Sequence, residues 1–144
     1  MNDLNFEDCL KKGKIREFSR GKVLVKKELE SAMFDLQVAE ESLRGKNYKW
    51  ATIQTYYSMF HSARALLYIK NYREKSHYCL IEALRALYVE KGLVGYWLIE
   101  ALQKAKTLRE GADYYSEFSE DGAKNLIEKS KEFIAKTKEI LSIK

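Results

Sequence analysis

The chain has 144 residues, which suits one domain around one core and is short for two. Its 46% hydrophobic and 33% charged residues are those of a soluble globular protein, and no apolar run nears the roughly 18 residues of a membrane span. The first residues, MNDLNFEDCLKKGK, lack the apolar centre of a secretory signal, so a cytoplasmic protein with no membrane contact is expected.

The absence of proline favours long, uninterrupted helices. A short helix is expected near residues 4 to 12, in a peripheral segment spanning 1–18. The net charge of +5 is unevenly spread. Between Lys11 and Lys27 stand Lys11, Lys12, Lys14, Arg16, Arg20, Lys22, Lys26 and Lys27 against one acid, Glu17. Such a run suits a solvated helix face, or contact with phosphates or an acidic partner.

Val25, Leu29, Ala32, Met33, Leu36, Ala39 and Leu43 recur at three- and four-residue steps and predict a helix over about 20 to 44, stopped by Gly45. A second helix, about 47 to 70, turns Ile53, Tyr56, Phe60, Ala63 and Leu67 inward. The polar NYREKS is read as a linker. Ser76 is the expected N-cap of a third helix, with Leu80, Ile81, Leu84, Leu87 and Tyr88 on its inner face until Gly92 and Gly95 interrupt it. A fourth, about 96 to 109, buries Leu98, Ala101, Leu102, Ala105 and Leu108. The last starts after Ser119, where Glu120 and Asp121 suit the positive helix end, and runs amphipathically through Phe133 to Leu141. No segment alternates like a strand. The expected fold is all-α: one domain over 1–144, with an up-and-down antiparallel bundle of four to five main helices over 19–142.

Cys9 and Cys79 stand 70 positions apart and match neither a zinc-ligand spacing nor a redox pair; in a reducing compartment they are expected as free structural thiols. Two histidines without accompanying acids or cysteines, and without Glu-x-x-His pairs, make no metal site, and no cofactor is expected. Neither a phosphate-cradling glycine loop nor a Gly-x-Ser-x-Gly elbow is present. WATIQTYYSMF reads as core rather than as a base-stacking platform.

Tyr57, Arg64 and Tyr68 fall within about 40° on a helical projection, with His61 beside them, in a stripe bordering the apolar face. His77 follows Ser76 in the first turn of a helix, where the positive end disfavours protonation; a neutral ring is the useful state for a general base. Arg73 and Lys75 precede it, and Arg64 can lie across the turn. A neutral base among cations suits either cleavage next to a 2′-hydroxyl or simple phosphate binding, and spacing does not separate these.

The run YYSMFHSARALLYIKNYREKSHY at 56–78, with LREGADYYSEFSEDGAKNLIEKSKEFIAKTKEIL, resembles the HEPN superfamily, especially its small stand-alone prokaryotic branch. The resemblance covers about 35 to 142. It is carried by Tyr-Tyr-x-Met-Phe-His-x-Ala-Arg-Ala-Leu-Leu at 56–67, Lys-Ser-His at 75–77 and Arg-x-x-x-Asp-Tyr at 109–114. It implies an antiparallel bundle, homodimerisation and pairing with a small nucleotidyltransferase in toxin–antitoxin modules. Many such proteins are metal-independent ribonucleases with an arginine, four to six residues, then a histidine. Here Arg73 and His77 are separated by three residues, Arg64 and His77 by twelve, and no histidine follows Arg85 or Arg109. That nuclease motif therefore does not transfer.

The candidate site is His77 with Arg64 or Arg73 as catalytic residues, and Tyr57, His61, Lys75, Arg109, Asp113 and Tyr114 as ligand- or anion-binding residues. Arg109 and Asp113, four apart, can equally pair with each other. Three functions are expected to compete: a module binding a nucleotide, RNA or a nucleotidyltransferase, a metal-independent ribonuclease toxin, and a structural homodimer.

Overall fold

The computed structural model describes residues 4–142. The elements in chain order are α1 (Phe6–Lys11), β1 (Ile15–Glu17), α2 (Gly21–Arg44), α3 (Tyr48–Tyr68), β2 (Tyr72–Glu74), α4 (His77–Leu84), α5 (Trp97–Tyr115) and α6 (Glu120–Ile140), with a π-helical turn at Arg85–Val89 extending α4. The fold is an all-α helical bundle carrying a two-stranded ribbon on one side.

α3 lies at its centre, packed against α2, α5 and α6. Its buried residues include Ile53, Tyr56, Met59, Phe60, Ala63, Leu66 and Leu67. Burial of such side chains, at about 1.5–3 kcal/mol for each large one, is what holds a helix of this length in place. Small residues let α2 come close: Ser58 donates to the Ala32 carbonyl at 2.9 Å and meets the Ser130 hydroxyl of α6 at 3.0 Å. Ser42 bonds Gln54 near the α2–α3 turn, so the two helices run antiparallel. Deeper in, Tyr88 of the π-helical turn donates to the Leu66 carbonyl at 2.5 Å.

The expected caps form where their chemistry predicts. Ser76 and Ser119 are extended and accept hydrogen bonds from the amides of Cys79 and Gly122. Three local features differ from expectation. Gly45 has φ of −81° and it is Lys46, at +63°, that takes the left-handed position after α2. Met33 is 46% exposed, because α2 closes on its neighbours through the narrower stripe of Val25, Leu29, Ala32 and Ala39. α5 runs on to Tyr115, which puts Asp113 and Tyr114 on a helix.

Two expectations are corrected outright. NYREKS is not merely a linker: Tyr72–Glu74 pairs antiparallel with Ile15–Glu17, so strands exist where none was expected. Three-residue strands are too short to display alternation, and these lie in charged segments. The second correction concerns the cysteines. The ribbon folds α1 back onto α4 and brings the Cys9 and Cys79 Cα atoms to 5.8 Å, where they form a disulfide rather than free thiols.

Candidate functional site

The start of α4 sits over α3. Tyr56 and Phe60, one turn apart on α3, form a wall against which the His77 ring packs at 5.8 and 4.7 Å between centroids. The Tyr56 hydroxyl stands 2.5 Å from His77 Nδ1. Burial pushes the Tyr56 phenol well above its usual range, so it keeps its proton and can donate it to Nδ1. In that arrangement His77 carries its hydrogen on Nε2, whereas in the other tautomer Nδ1–H donates to the phenol oxygen. Burial also lowers the His77 pKa; Lys106, Arg109 and Arg64 act in the same direction, and Glu74 opposes them. The ring is therefore neutral at physiological pH, as its position at a helix start suggested.

Arg109 of α5 lies alongside. Its guanidinium donates to the Tyr57 hydroxyl at 3.1 Å and pairs with Asp113 at 3.3 Å. It stands over the rings of Tyr56, Tyr57 and Tyr114 at 5.8, 5.6 and 5.4 Å. Its Nε is buried without a hydrogen-bond partner among the described residues. One turn earlier, Lys106 pairs with Glu110 at 3.2 Å. Tyr114 is 64% exposed, so one side of this cluster is open. Fixed guanidinium donors, a neutral imidazole and exposed aromatic faces can bind a phosphate and stack a base.

A second cluster adjoins the first and is more tightly closed. Arg64 Nη2 lies 2.7 Å from Glu74 and Nη1 3.5 Å from Glu28, with the guanidinium 4.5 Å from the Phe60 ring. His61 meets Glu28 at 2.5 Å through Nδ1 and Asp35 at 3.6 Å through Nε2. Burial works to raise the Glu28 carboxyl, but the hydrogen bond and charge of His61, with Arg64, outweigh it and hold Glu28 below the usual range. Asp35 is raised by its own burial against the pull of His61. With their polar atoms committed to these carboxylates, Arg64 and His61 tie α3 to α2 and to the ribbon.

The structure thus divides the residues chosen from spacing. It gathers His77, Tyr57, Arg109, Asp113 and Tyr114 at one place, with Arg64 close enough to affect His77. His61 faces α2 instead. Arg73 is separated from His77 by strand alternation: Glu74 is buried toward Arg64, whereas Arg73 is exposed and lies 5.0 Å from the Phe18 ring. Lys75 continues the ribbon, its amide donating to the Lys14 carbonyl at 2.8 Å. Glu28, Glu74 and Lys106 were not foreseen. Their tertiary partners alone distinguish them from the other charges on their elements. Tyr56 was foreseen as core, which it is, but its hydroxyl also reaches the site.

Among the described residues, no group of three or more His, Cys, Asp or Glu side chains could hold a metal ion. No helix among them is long and apolar enough to cross a membrane.

The HEPN domain model matches residues 25–141, and the chain belongs to the HEPN domain family. Two relatives come from Methanocaldococcus jannaschii. The protein named "Putative toxin MJ0605" is 31% identical over 114 residues, covering 74% of this chain and 85% of that protein. "Putative toxin MJ0142" is 30% identical over 119 residues, covering 81% of each. The family match begins inside α2 and excludes α1 and β1.

Proposed function

We propose that this chain is a toxin-type HEPN module that binds a nucleotide phosphate, free or within RNA, between His77 and Arg109. The observation that carries the proposal is the neutral His77 ring, held at Nδ1 by Tyr56, beside a guanidinium whose donors are fixed by Tyr57 and Asp113. Tyr114 offers an exposed ring for a base. The names of the two relatives support the toxin role, and a toxin implies an antitoxin partner; a small nucleotidyltransferase is the partner proposed. Co-expression with the adjacent gene product tests this, with growth arrest expected from the chain alone and relief expected from the pair. Absence of both effects argues against the toxin role.

The second reading, a metal-independent ribonuclease, is favoured by one specific feature: a neutral imidazole near three cations. In that reading His77 removes a proton from a 2′-hydroxyl and Arg109, rather than Arg73, meets the phosphate. It needs the imidazole tautomer with Nε2 unprotonated, in which Nδ1–H donates to the Tyr56 oxygen. RNA cleavage in the presence of a chelator, lost in His77→Ala, supports it. Equal cleavage by that variant removes His77 from the mechanism. A homodimer through the exposed Tyr115 and Phe118 is compatible with either reading.

A further inference from the structure

The ribbon presents a charge pattern that the fold does not need. Register pairs Arg16 with Arg73, and the ladder continues through the Lys75 amide to the Lys14 carbonyl, setting Lys14 opposite Lys75. Directly opposed residues share a face, and residues two apart share it as well. All four cations therefore stand on one side of the ribbon, while Ile15 and Glu74 are buried on the other. All four are exposed, and among the described residues none has an acidic partner within ion-pair distance. Like charges directly opposite each other on a sheet are destabilising. Lys12 and Lys22, also exposed, extend the same sign on either side.

We infer that Lys14, Arg16, Arg73 and Lys75 form a docking surface for the backbone of single-stranded RNA leading to the His77 site, an inference that rests on the RNA form of the function proposed above. Strand geometry spaces Lys14 from Arg16, and Arg73 from Lys75, by about 6.8 Å, giving two parallel rows of cations along an extended chain. Arginine forks suit phosphate oxygens. Continuity favours RNA over an acidic protein: Lys75 is two residues from His77, so the array ends beside the start of the helix that carries the site, although Arg73 itself faces away from His77. Lys14 and Arg16 lie before residue 25, where the family match begins, so half of this surface lies outside the matched region.

The test uses the full, disulfide-bonded chain and a labelled single-stranded oligouridylate, with affinity followed by anisotropy against salt. The quadruple variant Lys14→Gln, Arg16→Gln, Arg73→Gln, Lys75→Gln is expected to bind about tenfold or more weakly at low salt. Its log K against log salt slope is expected to fall in magnitude by about 2.8, four phosphates at about 0.7 each. The variant is expected to melt close to the parent, relief of the opposed like charges offsetting loss of the Arg16–Gly13 and Arg73–Phe18 contacts. A milder Lys14→Gln, Lys75→Gln variant keeps the Arg16–Gly13 and Arg73–Phe18 contacts and is expected to lose about half of that slope. Uridine monophosphate binding, which reads only the His77–Arg109 site, is expected to be unchanged in both variants. An unchanged RNA affinity and slope overturns the docking surface while leaving the site proposal intact. Loss of monophosphate binding in the parent overturns the site. Retention of an acidic protein by the array, with the RNA slope unaltered, also overturns the inference.

Discussion

The Tyr56 hydroxyl lies 2.5 Å from Nδ1 of His77, joining the most buried tyrosine of α3 to the first residue of α4. This contact sets the orientation of the ring, and the phenol that burial keeps protonated can donate to Nδ1. Tyr56→Phe removes the donor but keeps the packing against Phe60. It is expected to cost about 1 kcal/mol of stability. In the parent, nitrogen NMR shifts of His77 are expected to report the Nε2–H tautomer, and in the variant a mixture. Identical shifts in both proteins would remove Tyr56 from this role.

The pH dependence follows from the same burial. His77 has a folded-state pKa below the usual 6.5, pushed down by burial first and then by Lys106, Arg109 and Arg64, against Glu74. The unfolded chain therefore binds a proton more readily than the folded one. The stability this contributes is complete above the unfolded value and is lost as pH falls through 6.5 toward the lower folded value. The melting-temperature advantage of the parent over His77→Gln is expected to narrow between neutral pH and about 5. A widening advantage would mean that the folded state favours the charged ring.

Gly21 opens α2 against the end of α3, where an added Cβ would stand 2.3 Å from the Tyr68 carbonyl oxygen. Glycine to alanine in a helix ordinarily stabilises by about 0.5–1 kcal/mol. Here the sign is reversed, because the obstruction is backbone: Gly21→Ala is expected to destabilise by about 1–3 kcal/mol. Gly45→Ala, whose Cβ would meet nothing closer than 3.6 Å, serves as the comparison and is expected to change little. Chemical denaturation of both variants checks the contrast.

The Cys9–Cys79 bridge closes a segment with a sequence separation of 70, linking α1 to the helix that carries His77. Its reduction, or the paired substitution Cys9→Ser and Cys79→Ser, is expected to lower stability by about 2–4 kcal/mol. Thermal unfolding with and without reductant measures this. Two thiols that label readily in the native, unreduced protein, with no stability change on reduction, would contradict the bridge.

Much of the bundle was legible before any coordinates because its helices carry long apolar stripes and serine caps, signals that are local in the chain. The ribbon was not, since two three-residue strands acquire meaning only when paired. That omission had a consequence at the site. Without knowing that residues 72–74 alternate across a strand, Arg73 looks like the neighbour of His77, whereas Glu74 is the residue turned inward and Arg73 belongs to the opposite face. The HEPN resemblance was readable from the tyrosine-rich signature, and Arg109 was singled out through the Arg-x-x-x-Asp-Tyr motif of that resemblance. The acids that occupy Arg64 and His61 were not readable, because Glu28 and Asp35 sit on α2 among residues patterned as solvent-facing.

Binding of a nucleotide phosphate by the His77–Arg109 cluster is the property on which the proposed function depends. Isothermal titration of uridine monophosphate into the parent, His77→Ala and Arg109→Ala at neutral pH is the decisive measurement. Saturable binding by the parent is expected at one site per chain, weakened by about tenfold in each variant, the equivalent of one charge-assisted hydrogen bond. No binding by the parent, or equal affinity in all three proteins, would contradict it.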